Sequence, residues 1–270
     1  MTSSFINIEY RENIDYPAPM SEQVILRFYA ELNDFLPPAQ RKTAIVHDLK
    51  QRRSIKDLIE SIGVPHPEVD LIIANNESVD FDHIVSHGEY ISIYPAFTDI
   101  DVSPLKRCQP APVGPPRFVL DNHLGRLAAY LRMLGFDTLY RNDYNDALLA
   151  DIAEHEHRIL LTCDRQLLMR SQVTHGYFVR SRDSRQQLLE IARRYSLKQH
   201  KKPFTRCMNC NGEIHPVSKQ EIEDQLPADA KKYYKQFYRC DNCGNIYWEG
   251  SHYLKMKAMI ENLNNDTMAR

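Results

Sequence analysis

Apolar residues along this chain change their spacing several times, and the changes mark out its parts. Val24 to Tyr29 (VILRFY) and Thr43 to His47 (TAIVH) are short runs rich in branched and aromatic side chains, the pattern of buried strands. From Ser54 to Ile62 the apolar positions take helical spacing, opened by Ser54 with Asp57 three residues on and stopped by Gly63. Leu71 to Ala74 (LIIA), an Asn75-Asn76 turn and Tyr90 to Tyr94 (YISIY) supply two more strands. The order strand, strand, helix, strand, strand predicts a β-grasp domain over residues 1–97, with residues 1 to about 20 as a loosely held arm. Residues 98–116, with five prolines and one glycine, then read as a semi-rigid linker in which Cys108 has no partner at metal-ligand spacing.

A different rhythm begins at Arg117. Phe118, Val119 and Leu120 form a short apolar run that ends on Asp121, and Leu124, Leu127, Ala128, Leu131 and Leu134 follow at helical spacing. Strand and helix alternate from there: FDTLY (136–140), a helix capped by Asn145, RILLT (158–162), Cys163-Asp164 and a short helix, YFV (177–179), then Asp183 and a last helix. Alternation of this kind predicts a parallel sheet with right-handed crossovers over residues 117–200. In such a sheet the loops after the strands open at one edge, so Asp121, Asp143, Asp146, Asp164 and Asp183 can converge on one cleft. Crowded carboxylates repel one another unless a cation sits among them, and hard oxygen donors without a histidine pair suit Mg²⁺ or Mn²⁺ better than zinc. Any single aspartate after a strand is more often a cap or a turn residue than a ligand, and for Asp143 and Asp183 the two roles are evenly weighted. Asp121 and Asp164, each directly at a strand end, are the favoured ligands, with Asp146 intermediate in the first turn of its helix.

Two Cys-x-x-Cys pairs, Cys207 with Cys210 and Cys240 with Cys243, give residues 201–261 the pattern of a zinc ribbon, four thiolates filling a tetrahedral shell around structural Zn²⁺. The 29 residues between the pairs hold a helix of their own, opened by Ser218 and Glu221 and interrupted at Pro227. They also hold KKYYKQFYRC, where Lys231, Lys232 and aromatic residues alternate, a combination suited to phosphates and unpaired bases or, equally, to an amphipathic surface. Trp248 is expected to pack.

Composition sharpens this picture only slightly. With 43% hydrophobic and 26% charged residues, the 270-residue chain has material for two or three soluble domains. No apolar run approaches the roughly 18 to 20 residues that span a bilayer, and no basic-then-apolar leader is present, which points to a cytosolic protein with no membrane partner and leaves the cysteines for metal. The net charge of -2 conceals a split. Residues 1–100 hold 8 Lys and Arg against 16 Asp and Glu, and residues 101–270 hold 26 against 20, so any nucleic acid would meet the back half.

The runs RFVLDNHLGRLAAYLRMLGFDTLY, RILLTCDR and IYWEGSHY resemble the PIN-domain ribonucleases called after the C-terminal nuclease region of the mutator-seven protein, Mut-seven-C, over residues 117–253. The front domain resembles the sulfur-carrier branch of the ubiquitin fold through its element order and the run NNE…GEYISIYP, and a ubiquitin-like domain in front is an arrangement seen in the Mut-seven-C family. Sulfur carriers need a free Gly-Gly end; here Pro95-Ala96-Phe97 stands there and the chain continues, so the domain is read as a docking or regulatory module, dispensable for chemistry, for an unidentified protein partner. What the nuclease resemblance implies is hydrolysis of RNA, expected to be single-stranded, through a divalent metal held by Asp121, Asp146 and Asp164. Arg126 and Arg132 on the polar face of the first helix, Arg165, Lys231 and Lys232 are the expected substrate contacts. His123 stands where that family usually has Met, and Cys163 where it usually has Arg. The rival expectation is a non-catalytic RNA-binding or adaptor protein working through the ribbon and the ubiquitin-like domain.

Overall fold

The computed structural model describes residues 22–97, 100–109 and 114–266; the expected N-terminal arm lies outside them. The front domain is a five-stranded sheet made of β1 (Gln23–Phe28), β2 (Ala44–Asp48), β3 (Leu71–Ala74), β4 (Glu77–Val79) and β5 (Tyr90–Tyr94), with one helix, α1 (Ile55–Ile62). The strand order is β2-β1-β5-β3-β4, and only the central β1–β5 pair is parallel, as a β-grasp requires. Ser54 caps α1 by accepting from the Asp57 amide, and Gly63 ends it at φ +104°. The helix buries Ile55, Leu58 and Ile59 on Phe28, Ile72, Ile91 and Ile93 of the sheet. The sequence pattern missed β4, which is three residues long and nowhere fully buried. It exists because Asn75 and Asn76 both take positive φ, the two-residue hairpin turn that suits strand twist.

The linker does not hang free where it is described. Lys106 pairs with Asp70 at 2.6 Å, the Cys108 thiol contacts the Val79 carbonyl, and Gln109 donates to the His66 carbonyl at 3.3 Å. Burial, and then the Asp70 charge, push the Cys108 thiol up to about 12, so it is a packing group.

The second unit is a four-stranded, wholly parallel sheet ordered β7-β6-β8-β9: β6 (Phe118–Leu120), β7 (Thr138–Leu139), β8 (Ile159–Thr162) and β9 (Gly176–Phe178). On one face lie α2 (Gly125–Met133) and α5 (Ser184–Arg194); on the other lie α3 (Asp146–His155) and α4 (Arg165–Leu168). Both faces are therefore covered, and the strands are buried throughout their length at β6 and β8.

A three-stranded antiparallel ribbon follows, β10 (Ile214–Val217), β11 (Phe237–Cys240) and β12 (Ile246–Tyr247), with two short helices, α6 (Lys219–Ile222) and α7 (Ala228–Tyr233), inserted before β11. Trp248 packs there with Tyr234 and Phe237, as expected. The last helix, α8 (Ser251–Asp266), was not expected from the sequence; it returns Ile260 and Leu263 to the core beneath α2 and α5. Among the described residues no helix is long and apolar enough to cross a membrane.

The ribbon is bolted to the sheet rather than tethered to it. Arg132 corrects the sequence reading: it is only 4% exposed, and its guanidinium donates to the carbonyls of Thr138, Met208 and Asn209, so it faces the first cysteine turn and not a substrate. The Asn211 amide takes the Thr138 N–H at 2.9 Å and donates to Asp137 at 2.7 Å. Gly135, at φ +91°, lets the incoming chain pass: a Cβ there would lie 2.1 Å from the Lys202 carbonyl oxygen.

Asp137 is the hub of this junction, bonded to Arg158, Arg117 and Asn211. Burial alone would raise its pKa, but the hydrogen bonds from Arg158 and Asn211 and the Arg158 charge outweigh that and bring it down to about 2. A carboxyl whose folded value is depressed adds stability above its unfolded value, and that stability is lost as the pH falls through the folded one. Asp137→Asn should therefore lower the thermal midpoint at neutral pH, and the gap from the parent should close as the pH drops below about 4. Melting curves across that range read the effect directly.

Candidate active site

At the carboxyl edge of the parallel sheet, the ends of β6 and β8 open into a cleft of about 560 Å³ lined by Asp121, His123, Asp146, Thr162, Asp164 and Arg165 among others. Parallel register brings the first and third strands together: Leu120 stands opposite Leu161, and the Asp121 amide donates to the Leu161 carbonyl at 3.1 Å. Asp121 is only 7% exposed, and its carboxylate is fully supplied with donors. One oxygen accepts from the His123 amide at 2.8 Å; the other accepts from the Cys163 amide at 3.1 Å and from the Thr162 hydroxyl. That hydroxyl also accepts the Asp164 amide at 2.9 Å, so one threonine joins the two acidic strand ends. Thr162 was not singled out from the sequence, although its place in the run RILLTCDR, one residue before Cys163-Asp164, was the available signal.

Asp164 caps α4 with a single oxygen, which accepts from the amides of Gln166 at 2.7 Å and Leu167 at 3.4 Å; the second oxygen has no partner among the described residues. Asp146 lies in the first turn of α3 behind the Asn145 cap, exposed, with no hydrogen bond among the described residues. Three unpartnered oxygens and one buried, braced carboxylate thus share a polar cleft. The other acids are elsewhere. Asp143 is exposed and chelated by Arg141 at 2.9 and 2.6 Å, and Asp183 caps α5; neither lines the cleft.

Of the cations expected to meet substrate, Arg126 is exposed on α2, with no hydrogen bond or ion pair among the described residues. Lys231 and Lys232 lie on α7 of the ribbon and do not line the cleft; the Lys231 carbonyl is taken by Lys219, and the Lys232 ammonium sits 5.2 Å over the Tyr233 ring. Arg165 does line it. Cys163 is held as a thiol, its pKa pushed up to about 11 by desolvation and then by the charges of Asp121 and Glu190, so it is no nucleophile near neutral pH.

Among the described residues, only Cys207, Cys210, Cys240 and Cys243 bring three or more potential ligand atoms within 4.8 Å of one another. Cys207 and Cys243 stand 3.6 Å apart at sulfur, and Cys210 and Cys240 3.4 Å, each pair formed across the two turns. This is where a metal ion can be held. The three cleft carboxylates are more widely spaced than that.

The family model described as Mut7-C RNAse domain matches residues 116–260, and the one described as Mut7-C ubiquitin matches residues 21–101. No curated protein and no solved structure matches the chain significantly.

Because the Thr162 hydroxyl serves two partners, Thr162→Val should strip one donor from Asp121 and orphan the Asp164 amide. The expected loss is about 1 to 3 kcal/mol, the scale of an unsatisfied buried polar group. Thr162→Ser should stay near the parent. Urea denaturation of the three proteins makes the comparison.

Proposed function

We propose that this chain, which belongs to the Mut7-C RNAse domain family, hydrolyses phosphodiester bonds of single-stranded RNA with Mg²⁺ or Mn²⁺ held by Asp121, Asp146 and Asp164. The observation that carries the reading is the convergence of these three carboxylates on one cleft at the sheet edge, two of them with oxygens that no group among the described residues occupies. The donor set fits such an ion. Magnesium keeps several of its waters and takes only one or two carboxylates directly, so acids spaced more widely than a full protein chelate suit it. When bound, the ion supplies Lewis acidity, lowering the pKa of water and offsetting charge on the phosphate.

The chain's own residues do the rest. Asp121, fixed by donors from its own turn and from the neighbouring strand, holds a rigid point of negative charge. Asp146 and Asp164 contribute oxygens from the first turn of α3 and the start of α4, and Arg126, exposed on the helix that follows Asp121, is available to the RNA backbone. We also assign structural Zn²⁺ to the four cysteines. With Zn–S near ~2.3 Å, tetrahedral sulfurs stand ~3.8 Å apart, close to the spacing found, and four thiolates leave no position for water.

Two measurements test these assignments. Elemental analysis should find one zinc per chain, and Cys207→Ser/Cys240→Ser should lose both the metal and much of the thermal stability; a zinc-free protein whose double variant melts like the parent overturns the assignment. For the chemistry, Asp121→Asn keeps size and can keep the bond from the His123 amide but removes the charge and turns an NH2 toward the Cys163 amide; once circular dichroism shows it folded, it should cleave RNA at least about a hundredfold more slowly, the scale of losing one electrostatic stabiliser. Cleavage that persists in EDTA, or an Asp121→Asn protein as active as the parent, contradicts the mechanism. A parent that binds RNA but cuts none with either ion transfers the case to the adaptor reading.

A further inference from the structure

The front domain reaches the acidic cleft through one residue. Phe35, at the end of a 3-10 turn (Ala30–Phe35) that follows β1, accepts a hydrogen bond at its carbonyl from the Arg165 guanidinium at 3.2 Å, and its ring lies under the same guanidinium at 5.3 Å. The Phe178 ring, at the end of β9, stands 5.9 Å from that guanidinium and meets Phe35 edge-on at 5.4 Å. Arg165 is therefore held against two rings and a carbonyl, although it is exposed and lines the cleft directly after Asp164. One of its five N–H donors is spent on Phe35; the others have no partner among the described residues.

The contact that places Phe35 there is itself built. Glu68, 2% exposed, accepts from the Phe178 amide at 2.5 Å and pairs with Arg180 at 2.9 Å, and Arg180 also pairs with Asp34, the neighbour of Phe35. His66, 3% exposed, reaches the Val173 carbonyl at 2.8 Å. A charged pair buried between two domains is costly unless both members stay in place, so this seating does not slide freely.

We propose that the ubiquitin-like domain is part of the substrate site: Phe35 positions Arg165 as a phosphate clamp beside the acidic cleft, for the backbone of the RNA strand. Arginine suits the task because its planar fork can stack on a ring and still present donors along its edge, and a guanidinium already immobilised loses less entropy when it takes up phosphate. This replaces the expectation that the front domain is dispensable. The clamp rests on the nuclease reading for the identity of its ligand, so it is tested by binding as well as by cleavage.

The experiment uses the full chain with its cysteine-bound metal left in place and a short fluorescent single-stranded RNA, with affinity measured by anisotropy without added Mg²⁺ or Mn²⁺ and turnover measured separately with Mn²⁺. Arg165→Ala should weaken binding about tenfold. Phe35→Leu, which keeps an apolar side chain and the carbonyl but not the ring, should weaken it about threefold in a protein that stays folded with a modestly lowered melting temperature, because Phe35 is 4% exposed, and Phe35→Tyr, which keeps a ring, should bind close to the parent. In the Phe35→Leu/Arg165→Ala double variant the loss should match Arg165→Ala alone, because a positioning residue has nothing left to position. Additive losses, unchanged affinity in Arg165→Ala, or tighter binding by Phe35→Leu would each overturn the clamp, the last by showing that Phe35 withholds Arg165 from RNA. A parent that binds with this pattern but cuts nothing removes the nuclease reading and leaves the clamp standing. A parent that cuts RNA while Arg165→Ala and Phe35→Leu bind normally does the reverse, and a parent that neither binds nor cuts RNA removes both.

Discussion

The parallel pairing of β6 with β8 is the constraint on which the site depends. Because Leu120 stands opposite Leu161, the strands end together, and Asp121 meets Thr162 and Cys163 from a segment some forty residues away. A carboxylate left 7% exposed would be strongly disfavoured without donors, and here three are delivered by geometry alone. A one-residue shift of that register would move every side chain of the strand to the opposite face of the sheet, against packing shaped for its neighbour, and leave the charge buried and unpaired. The apolar packing of the strands and the electrostatics of the cleft thus enforce the same alignment.

Each end of that sheet is braced by a different neighbour. Before β7, Asp137, Asn211 and Arg132 fasten the cysteine ribbon; beyond β9, Arg180 and Phe178 receive Glu68 and Phe35 of the ubiquitin-like domain. Burial pushes the Glu68 carboxyl up while the Arg180 charge draws it back, so the pair is a specificity device more than a source of stability: Glu68 without Arg180 would be a buried, unmatched charge, whereas Arg180 would keep Asp34. The acidity of the front half, which as a bulk property would repel RNA, is partly neutralised at this seat, since Arg180 engages both Asp34 and Glu68.

Local chemistry was legible and long-range chemistry was not. Ser54, Gly63 and Asn145 act at helix ends as their types and spacing indicate, and the strands of the front and parallel sheets other than β4 follow the apolar runs, because each of these features is decided within a few residues. Arg132 was misread for the opposite reason. Its neighbours place it on a helix face that would be solvated were it not covered by the turn at Met208 and Asn209, some seventy-six residues on. The same holds for Arg165, whose stacking partner Phe35 belongs to another domain, for α8, and for the described part of the linker, whose contacts with the front domain no periodicity announces.

The aspartates show why sequence could not separate a cap from a ligand. The two roles are not alternatives: a cap needs one carboxylate oxygen, and Asp164 and Asp183 each spend one oxygen on two amides of the helix that follows. Both therefore keep an oxygen for something else, and hydrogen-bonding capacity does not distinguish them. Position does, since Asp164 lines the cleft with Asp121 and Asp146 whereas Asp183 does not. Asp121 differs again, because two of its three donors come from a neighbouring strand and its own turn supplies only one. A carboxylate satisfied across strands is fixed by the sheet as a whole, and that rigidity is what a charge must have if it is to hold a cation in one place relative to a substrate.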